Sequence, residues 1–270
     1  MYPKSKVLII AGSDSSGGAG IQADIKTVTL LGSYAMTAVT AVTAQNTMGV
    51  KKITPIPTQN VQKQITMVLD DIGADAVKIG MLYNVSIIKG VHHILKKYNL
   101  KNIVIDPVMV AKGGARLINN NSIIYLKKLL LPLAKLITPN IPEAEVLSGC
   151  SISNKEDMIQ AAKKIINMGP KNVLLKGGHL KSKMIFDILA TKKEIKVFPK
   201  RKIRTKNTHG TGCTLSSALA TCLSQKKSIF KSCKISLKYV DRAITYAPGY
   251  GKGFGPLNHL VLFNSRNTNV

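Results

Sequence analysis

The feature that most limits what this chain can become is the regular alternation of short apolar runs with amphipathic stretches. Ser5–Ala11, Ala76–Ile79, Asn102–Ile105, Ala134–Ile137 and Asn172–Leu175 are short, rich in Val, Ile and Leu, and bounded by glycine or polar residues. Such runs read as strands of a parallel sheet, which is covered on both faces and shows no polar side. Between them lie segments of helical character: 21–31, 58–72, 86–98, one ending near 131, a short helix opened by Pro142, and 153–168. Pro142 suits a first helical position, and Ser153-x-x-Glu156 predicts a capping box. Tyr34–Gln45 and Val50–Pro57 also read as strands, the second an edge or flap because of Pro55 and Pro57. Met184–Ala190 and Glu194–Phe198 read as an antiparallel pair near the sheet edge, and the final helices fall at about 212–224 and 229–246. No repeat, linker or low-complexity tract interrupts the pattern. The expectation is one doubly wound α/β domain over residues 1–270, with its core at about 5–260.

No apolar run reaches the roughly 18 residues a membrane span needs. No signal-peptide pattern precedes the first strand, and Cys150, Cys213, Cys222 and Cys233 form no CxxC or zinc spacing. These features predict a cytoplasmic chain with no membrane partner. The formal net charge is +26, from 39 basic and 13 acidic residues. That balance raises nucleic-acid binding. Only five of the basic residues are arginine, tryptophan is absent, and the lysines are spread along the chain. Bidentate readout and base stacking want arginine and aromatics, so the charge reads as compositional drift with no specific nucleic-acid partner. The one dense cluster is Lys200–Arg204, and Arg204 within it reads as surface. With so few acids, each Asp or Glu becomes informative.

Doubly wound sheets bind ligands beyond the carboxyl ends of their strands. Gly12, Asp14, Met81, Asp106, Asn140 and Lys176 fall there. The loop Lys206–Gly212 leads into an apolar run, 215–223, and Gly210 and Gly212 let its backbone turn tightly beside a ligand. A helix beginning here presents unpaired N–H groups and a positive dipole end, a site for phosphate. The same field is expected to favour the thiolate of Cys213, as nucleophile or base. Thr208, Thr211 and Thr214 add hydroxyl donors, and His209 reads as a hydrogen bonder that shapes the loop. A rival motif fails: Gly18-Ala19-Gly20-Ile21-Gln22-Ala23 matches a loose dinucleotide fingerprint, but no acid follows Asp24 until Asp70, so the ribose has no partner. No Walker A sequence occurs. Phosphoryl transfer needs an anion hole, charge neutralisation and positioning. The turn Gly210–Cys213 supplies the first and Lys176 the second. Asn140, Glu143 and Asp106 are placed to hold Mg²⁺, directly or through water.

AGSDSSGGAGIQAD, AQNT, KIGML, DPVM, TPNIPEAE, KGGH and NTHGTGCTLS occur in this order. Together they resemble the bacterial hydroxymethylpyrimidine/phosphomethylpyrimidine kinases of thiamin biosynthesis, members of the ribokinase-like superfamily, over residues 7–259. The resemblance implies a ribokinase-like fold that uses ATP and Mg²⁺. It implies transfer of a phosphoryl group to 4-amino-5-hydroxymethyl-2-methylpyrimidine, then a second to the monophosphate. It implies that Gln45 pairs with the aminopyrimidine edge, with Asp24, Gly12, Met81 and Val108 lining the same pocket. Cys213 stands where sugar kinases of the superfamily carry a catalytic Asp, within the turn Gly210, Thr211, Gly212. Lys176, Asn140 and Thr208 would serve the nucleotide, and Glu143 and Asp106 the magnesium. Relatives are commonly homodimers, with 34–57 a lid or interface. A pyridoxal or pyridoxine kinase on the same fold is the alternative. Ser15, where a proline is common, is expected to loosen the first loop.

Overall fold

The computed structural model describes residues 2–111, 113–115, 117–180 and 183–262. Arg116, the end of the expected loop 108–116, lies outside them. Among the described residues nine strands form one sheet: β1 (Lys6–Asp14), β2 (Tyr34–Asn46), β3 (Gly49–Pro55), β4 (Ala76–Ile79), β5 (Ile103–Ile105), β6 (Leu136–Ile137), β7 (Asn172–Leu175), β8 (Met184–Thr191) and β9 (Ile195–Arg201), in the order 3-2-1-4-5-6-7-8-9. The six strands from β2 to β7 in that order run parallel, and β3, β8 and β9 add antiparallel edges. The prolines that marked 50–57 as an edge mark β3 correctly.

Among the described residues eight α-helices accompany the sheet: α1 (Gly20–Leu30), α2 (Thr58–Asp71), α3 (Val85–Lys97), α4 (Asn120–Tyr125), α5 (Ile141–Ser148), α6 (Lys155–Ile166), α7 (Thr211–Ser224) and α8 (Ile229–Thr245). Alternate strand residues serve the two faces. Leu8 and Ile10 of β1, with Val77 and Ile79 of β4, meet α2, α3, α5 and α6. Val7, Ile9 and Ala11 meet α1, α7 and α8 on the other face. Each fully buried side chain of this kind contributes about 1.5–3 kcal/mol.

Several local expectations change. β1 continues through Gly12 and Ser13 to Asp14, so the first loop starts later than expected. The helix expected to reach 131 is α4 alone, followed by a π-helical turn at Leu126–Leu130 and a 3₁₀ turn at Leu131–Leu133, where Pro132 removes a backbone donor. Pro142 is the second helical residue, after Ile141. The cap of α6 is Asn154, whose side chain accepts from Asp157 N–H; Ser153 bonds to Asp157 from outside the helix. Asn is as good a cap as Ser, and here it stands one position nearer the helix. The capping box lies instead at α5, between Asn140 and Glu143.

Helix α7 is buried from Thr214 to Ser224. Some of its hydroxyls are satisfied within the helix: Ser216 Oγ donates to Gly212 O at 2.9 Å and Thr221 Oγ1 to Ser217 O at 2.7 Å. This back-bonding lets a polar sequence occupy a core position without orphaned donors.

Candidate active site

A cavity of about 690 Å³ opens beyond the carboxyl ends of the parallel strands. It is centred on the switch point of the sheet, where β1 connects outward to β2 and β4 connects the other way to β5. Gly12, Gln45, Met81, Asp106, Val108, Asn140, Glu143, Lys176, Thr208 and the turn Gly210–Cys213 all line it. Asp24 and Thr214 do not; Thr214 is buried, with Oγ1 3.0 Å from His259 Nε2.

Two glycine loops cross at its edge. Gly210 has φ +82° and caps α7, and a Cβ there would lie 1.8 Å from Gly18 O. A Cβ on Gly20, at φ +56°, would lie 2.4 Å from Gly12 O. The glycines that imitate a dinucleotide fingerprint are there so that two loops can touch. No side chain caps α7, and its first N–H groups have no intrahelical partner. Thr208 O accepts from Thr211 Oγ1 at 2.8 Å and closes the turn.

Behind the turn lie the charges. Lys176 Nζ is 3.1 Å from Asp106 Oδ1. A Cβ on Gly212 would lie 3.2 Å from Asp106 Oδ2 and 3.4 Å from Lys176 Nζ, so the turn passes directly over this pair. Burial disfavours the Lys176 ammonium, but the charges of Asp106 and Glu143 outweigh it and raise its pKa. Glu143 is buried at the start of α5, where Oε2 accepts from Asn140 N–H at 2.8 Å while Asn140 Oδ1 accepts from Glu143 N–H at 2.9 Å. Burial pushes its carboxyl up to about 7, against the pull of Lys176. The first task of both residues is therefore to cap α5. No cluster of three or more potential metal-ligating His, Cys, Asp or Glu side chains occurs among the described residues. Two carboxylates beside a phosphate site still suit Mg²⁺, which keeps several waters and takes few protein ligands.

Two expectations about ionisable groups are corrected. Asp24 is neither a pocket wall nor a surface acid: it is fully buried, with Oδ2 2.7 Å from Lys78 Nζ and Oδ1 accepting from Ser217 Oγ at 2.6 Å. Burial pulls its pKa up, while the charge of Asp24 outweighs burial for Lys78 and raises the ammonium's. We take the pair as ionised, because a neutral Asp24 would strand a buried ammonium. The second concerns Cys213. Burial pushes its thiol up to about 12, and only Lys78 and the Gly20 backbone pull the other way. The helix start does not by itself make a thiolate here, because desolvation exceeds what the dipole returns.

The apolar wall is a small cluster of Ala41, Met81 and Leu117 with Val108 against it. A Cβ on Gly12 would lie 2.6 Å from Met81 Cε, so Gly12 keeps the floor open. Gln45 stands near the end of β2, and Ser15 does not loosen the loop beside it. Ser15 Oγ donates to Gln45 O at 2.7 Å and accepts from Gln45 N–H at 2.9 Å, an edge contact that proline could not make. His209 is buried, with Nε2 2.8 Å from Asp14 Oδ2.

Sequence reasoning passed over Lys78, Asp187, Lys200 and Asp241. Lys78 lines the cavity from inside an otherwise apolar four-residue strand, and that lone charge was the available signal. Lys200 bridges Asp187 at 3.1 Å and Asp241 at 2.9 Å, at the far end of the cavity.

The fold and the site define a small-molecule phosphotransferase of the ribokinase-like class. A family model described as phosphomethylpyrimidine kinase matches residues 14–258. The hydroxymethylpyrimidine/phosphomethylpyrimidine kinase of Bacillus subtilis is 44% identical over 265 residues, covering 97% of this chain and 98% of that protein. The thiamine biosynthesis bifunctional protein of Geobacter sulfurreducens is 48% identical over 260 residues; the match covers 96% of this chain but 53% of that longer protein. Among solved structures, a phosphomethylpyrimidine kinase from Clostridium difficile matches with TM-score 0.80 and 45% identity, over 89% of this chain and 99% of that one. The Bacillus subtilis pyridoxal kinase in its ADP complex matches with TM-score 0.89 and 38% identity, over 96% and 99%. The chain belongs to the phosphomethylpyrimidine kinase family.

Proposed function

We propose that the protein transfers the γ-phosphoryl group of ATP to the hydroxymethyl oxygen of 4-amino-5-hydroxymethyl-2-methylpyrimidine, and then a second phosphoryl group to the monophosphate. The observation that carries this reading is the passage of the Gly210–Cys213 turn over the Lys176–Asp106 pair, which puts anion-binding N–H groups and an ammonium at one point. Lys176 neutralises the moving phosphoryl group. Asp106 and Glu143 would hold Mg²⁺, which adds charge neutralisation on the phosphates, with Asn140 and Thr208 beside them. Gln45 binds the aminopyrimidine edge against Gly12, Met81 and Val108. Cys213 takes the proton of the acceptor alcohol as a thiolate, a form that Lys78 favours and that burial in the ligand-free cavity disfavours. Asp24 serves indirectly, by holding Lys78.

An assay with ATP, Mg²⁺ and the pyrimidine alcohol, resolving products by mass, tests this directly; monophosphate followed by diphosphate is expected. The likeness to a pyridoxal kinase supports a second reading, and pyridoxal phosphate as the sole product would favour it. No helix among the described residues is long and apolar enough to cross a membrane. We read residues 1–270 as one kinase domain that works in the cytoplasm as a homodimer, an arrangement supported by exposed Val42 and Met48 on the β2–β3 ribbon. A monomer mass in solution would contradict the dimer.

A further inference from the structure

Lys176 follows β7, and the peptide groups on both of its sides are pinned. Its own N–H donates to Pro139 O at 2.9 Å. The next N–H, that of Gly177, donates to Asp187 Oδ1 at 2.9 Å. Asp187 lies on β8. The β7–β8 register pairs Asn172 with Thr191 and Leu175 with Ile188, so one further step would set Lys176 opposite Asp187. The turn that follows is tight, because a Cβ on Gly177 would run into the Phe186 carbonyl. Asp187 is itself braced. It is buried, with Oδ2 3.1 Å from Lys200 Nζ, and Lys200 Nζ lies 2.9 Å from Asp241 Oδ1 on α8. Asp187 pairs with Phe198 of β9, and Lys200, two residues on, shares that face of the sheet. Burial opposes charge on Lys200, but the two carboxylates outweigh it and raise its pKa. Asp187 thus divides its oxygens between an ammonium and a backbone N–H. One series of contacts runs from α8 through β9 and β8 to the peptide beside Lys176. A lysine ammonium rides on a flexible four-carbon stem, so its placement depends on how firmly the root of that stem is held. Asp106 holds the head of Lys176 at 3.1 Å; Asp187 holds the root.

We infer that Asp187 is a positioning residue for phosphoryl transfer: its carboxylate, braced by Lys200 and through it by Asp241, fixes the Lys176–Gly177 peptide and so the point at which the Lys176 ammonium meets the moving phosphoryl group. This rests on the reading of Lys176 as the group that neutralises that charge. Asp187 acts on the reaction only through Lys176. What the position needs toward Gly177 is an acceptor at Oδ1, which an amide oxygen also supplies. Loss of that acceptor leaves the N–H of a close-packed turn without its partner and frees the root of the lysine stem. A small misplacement of a catalytic group is enough to cost a large factor in rate. The acceptor pocket around Gln45 lies at the other end of the cavity, so binding of the pyrimidine is left as it was.

The test is a double-mutant cycle on kcat with ATP, Mg²⁺ and the pyrimidine alcohol. Asp187→Ala should lower kcat by about tenfold or more, with KM for the alcohol within about twofold of wild type. In a Lys176→Met background the same substitution should change kcat by less than about twofold, because the group it positions is gone. Asp187→Asn, which keeps the acceptor for Gly177 N–H, should restore most of the lost kcat. A merely structural role for Asp187 would cost the same factor in both backgrounds, and that result overturns the inference. So does a loss in Asp187→Asn as large as in Asp187→Ala, or a loss confined to KM. Asp187→Val, whose side chain suits a buried strand, carries the cycle should Asp187→Ala fail to fold. Lys176→Met alone separates the two layers. If it leaves kcat unchanged, the reading of Lys176 fails and the inference falls with it. If it lowers kcat while Asp187→Ala costs an equal factor with and without it, only the inference fails.

Discussion

The two ends of the cavity are built on opposite plans. At the β1–β2 end, Asp14, His209, Gln45, Thr43 and Ser15 stand in one series of polar contacts between 2.8 and 3.4 Å long. At the β5–β7 end, Lys176, Asp106 and Glu143 crowd together, and a carboxyl is pushed up to about 7 because burial leaves its charge undercompensated. The first end is finished without a ligand. The second stores charge that an arriving polyphosphate would balance. Specificity and reactivity are thus held by different residues and should be separable by mutation.

The largest effect should come from the charged end. Lys176→Met should lower kcat for both transfers by about 10²–10³-fold, the range for loss of one group that stabilises developing charge. Steady-state kinetics with either acceptor would show it, and a loss confined to KM would contradict it. Next comes the buried pair between the two ends. Lys78→Met should destabilise the fold by about 3–5 kcal/mol by leaving Asp24 charged and alone, read by urea denaturation. Adding Asp24→Asn should recover a large part of that loss; no recovery would mean that the pair is not coupled.

A smaller effect belongs to Glu143. Its carboxyl rises from 4.5 to about 7 on folding. A raised folded value favours the folded state below the unfolded value, and that stability is lost as pH climbs through the folded one. The ligand-free protein should therefore lose stability between about pH 4.5 and 7. Glu143→Gln should flatten that decline in a Tm series, and an unchanged slope would sink the assignment. The smallest effect should be at Ser15, which lies on the exposed rim. Ser15→Ala should raise KM for the pyrimidine a few-fold and cost about 1 kcal/mol of stability, the net worth of a typical hydrogen bond.

How much of this was legible in the sequence follows from the physics of each part. The parallel core was readable because its strands are apolar on both sides and end at punctuating residues, so β4, β7 and the β3 edge fall almost where expected. The acids were readable because they are few. Of 13, Asp14, Asp24, Asp106, Glu143 and Asp187 are buried, and all but Asp24 line the cavity. What the sequence hid was partnership across long separations. Asp24 and Lys78 are 54 residues apart, and nothing in either segment announces the other. Ser15 and Gln45 are 30 apart, so a residue that looked like a missing proline turns out to clasp the neighbouring strand. The thiol of Cys213 misled because the helix start is visible in sequence and the desolvation is not. Asn140 and Glu143 were read for their chemistry, although their spacing also spelled a capping box.

Cys213 links the two plans, since it lines the cavity and lies under the influence of the charges behind it. The first acceptor is an alcohol that must lose a proton; the second is a phosphate already ionised at neutral pH. The measurement to make is the rate of each transfer, started separately from the alcohol and from the monophosphate, in wild type and Cys213→Ala. We predict a loss of about 10²-fold or more in the first transfer, the scale of general-base catalysis, with the second within about tenfold of wild type. Equal losses in both steps would contradict a base at Cys213 and leave the turn around it as an anion site alone.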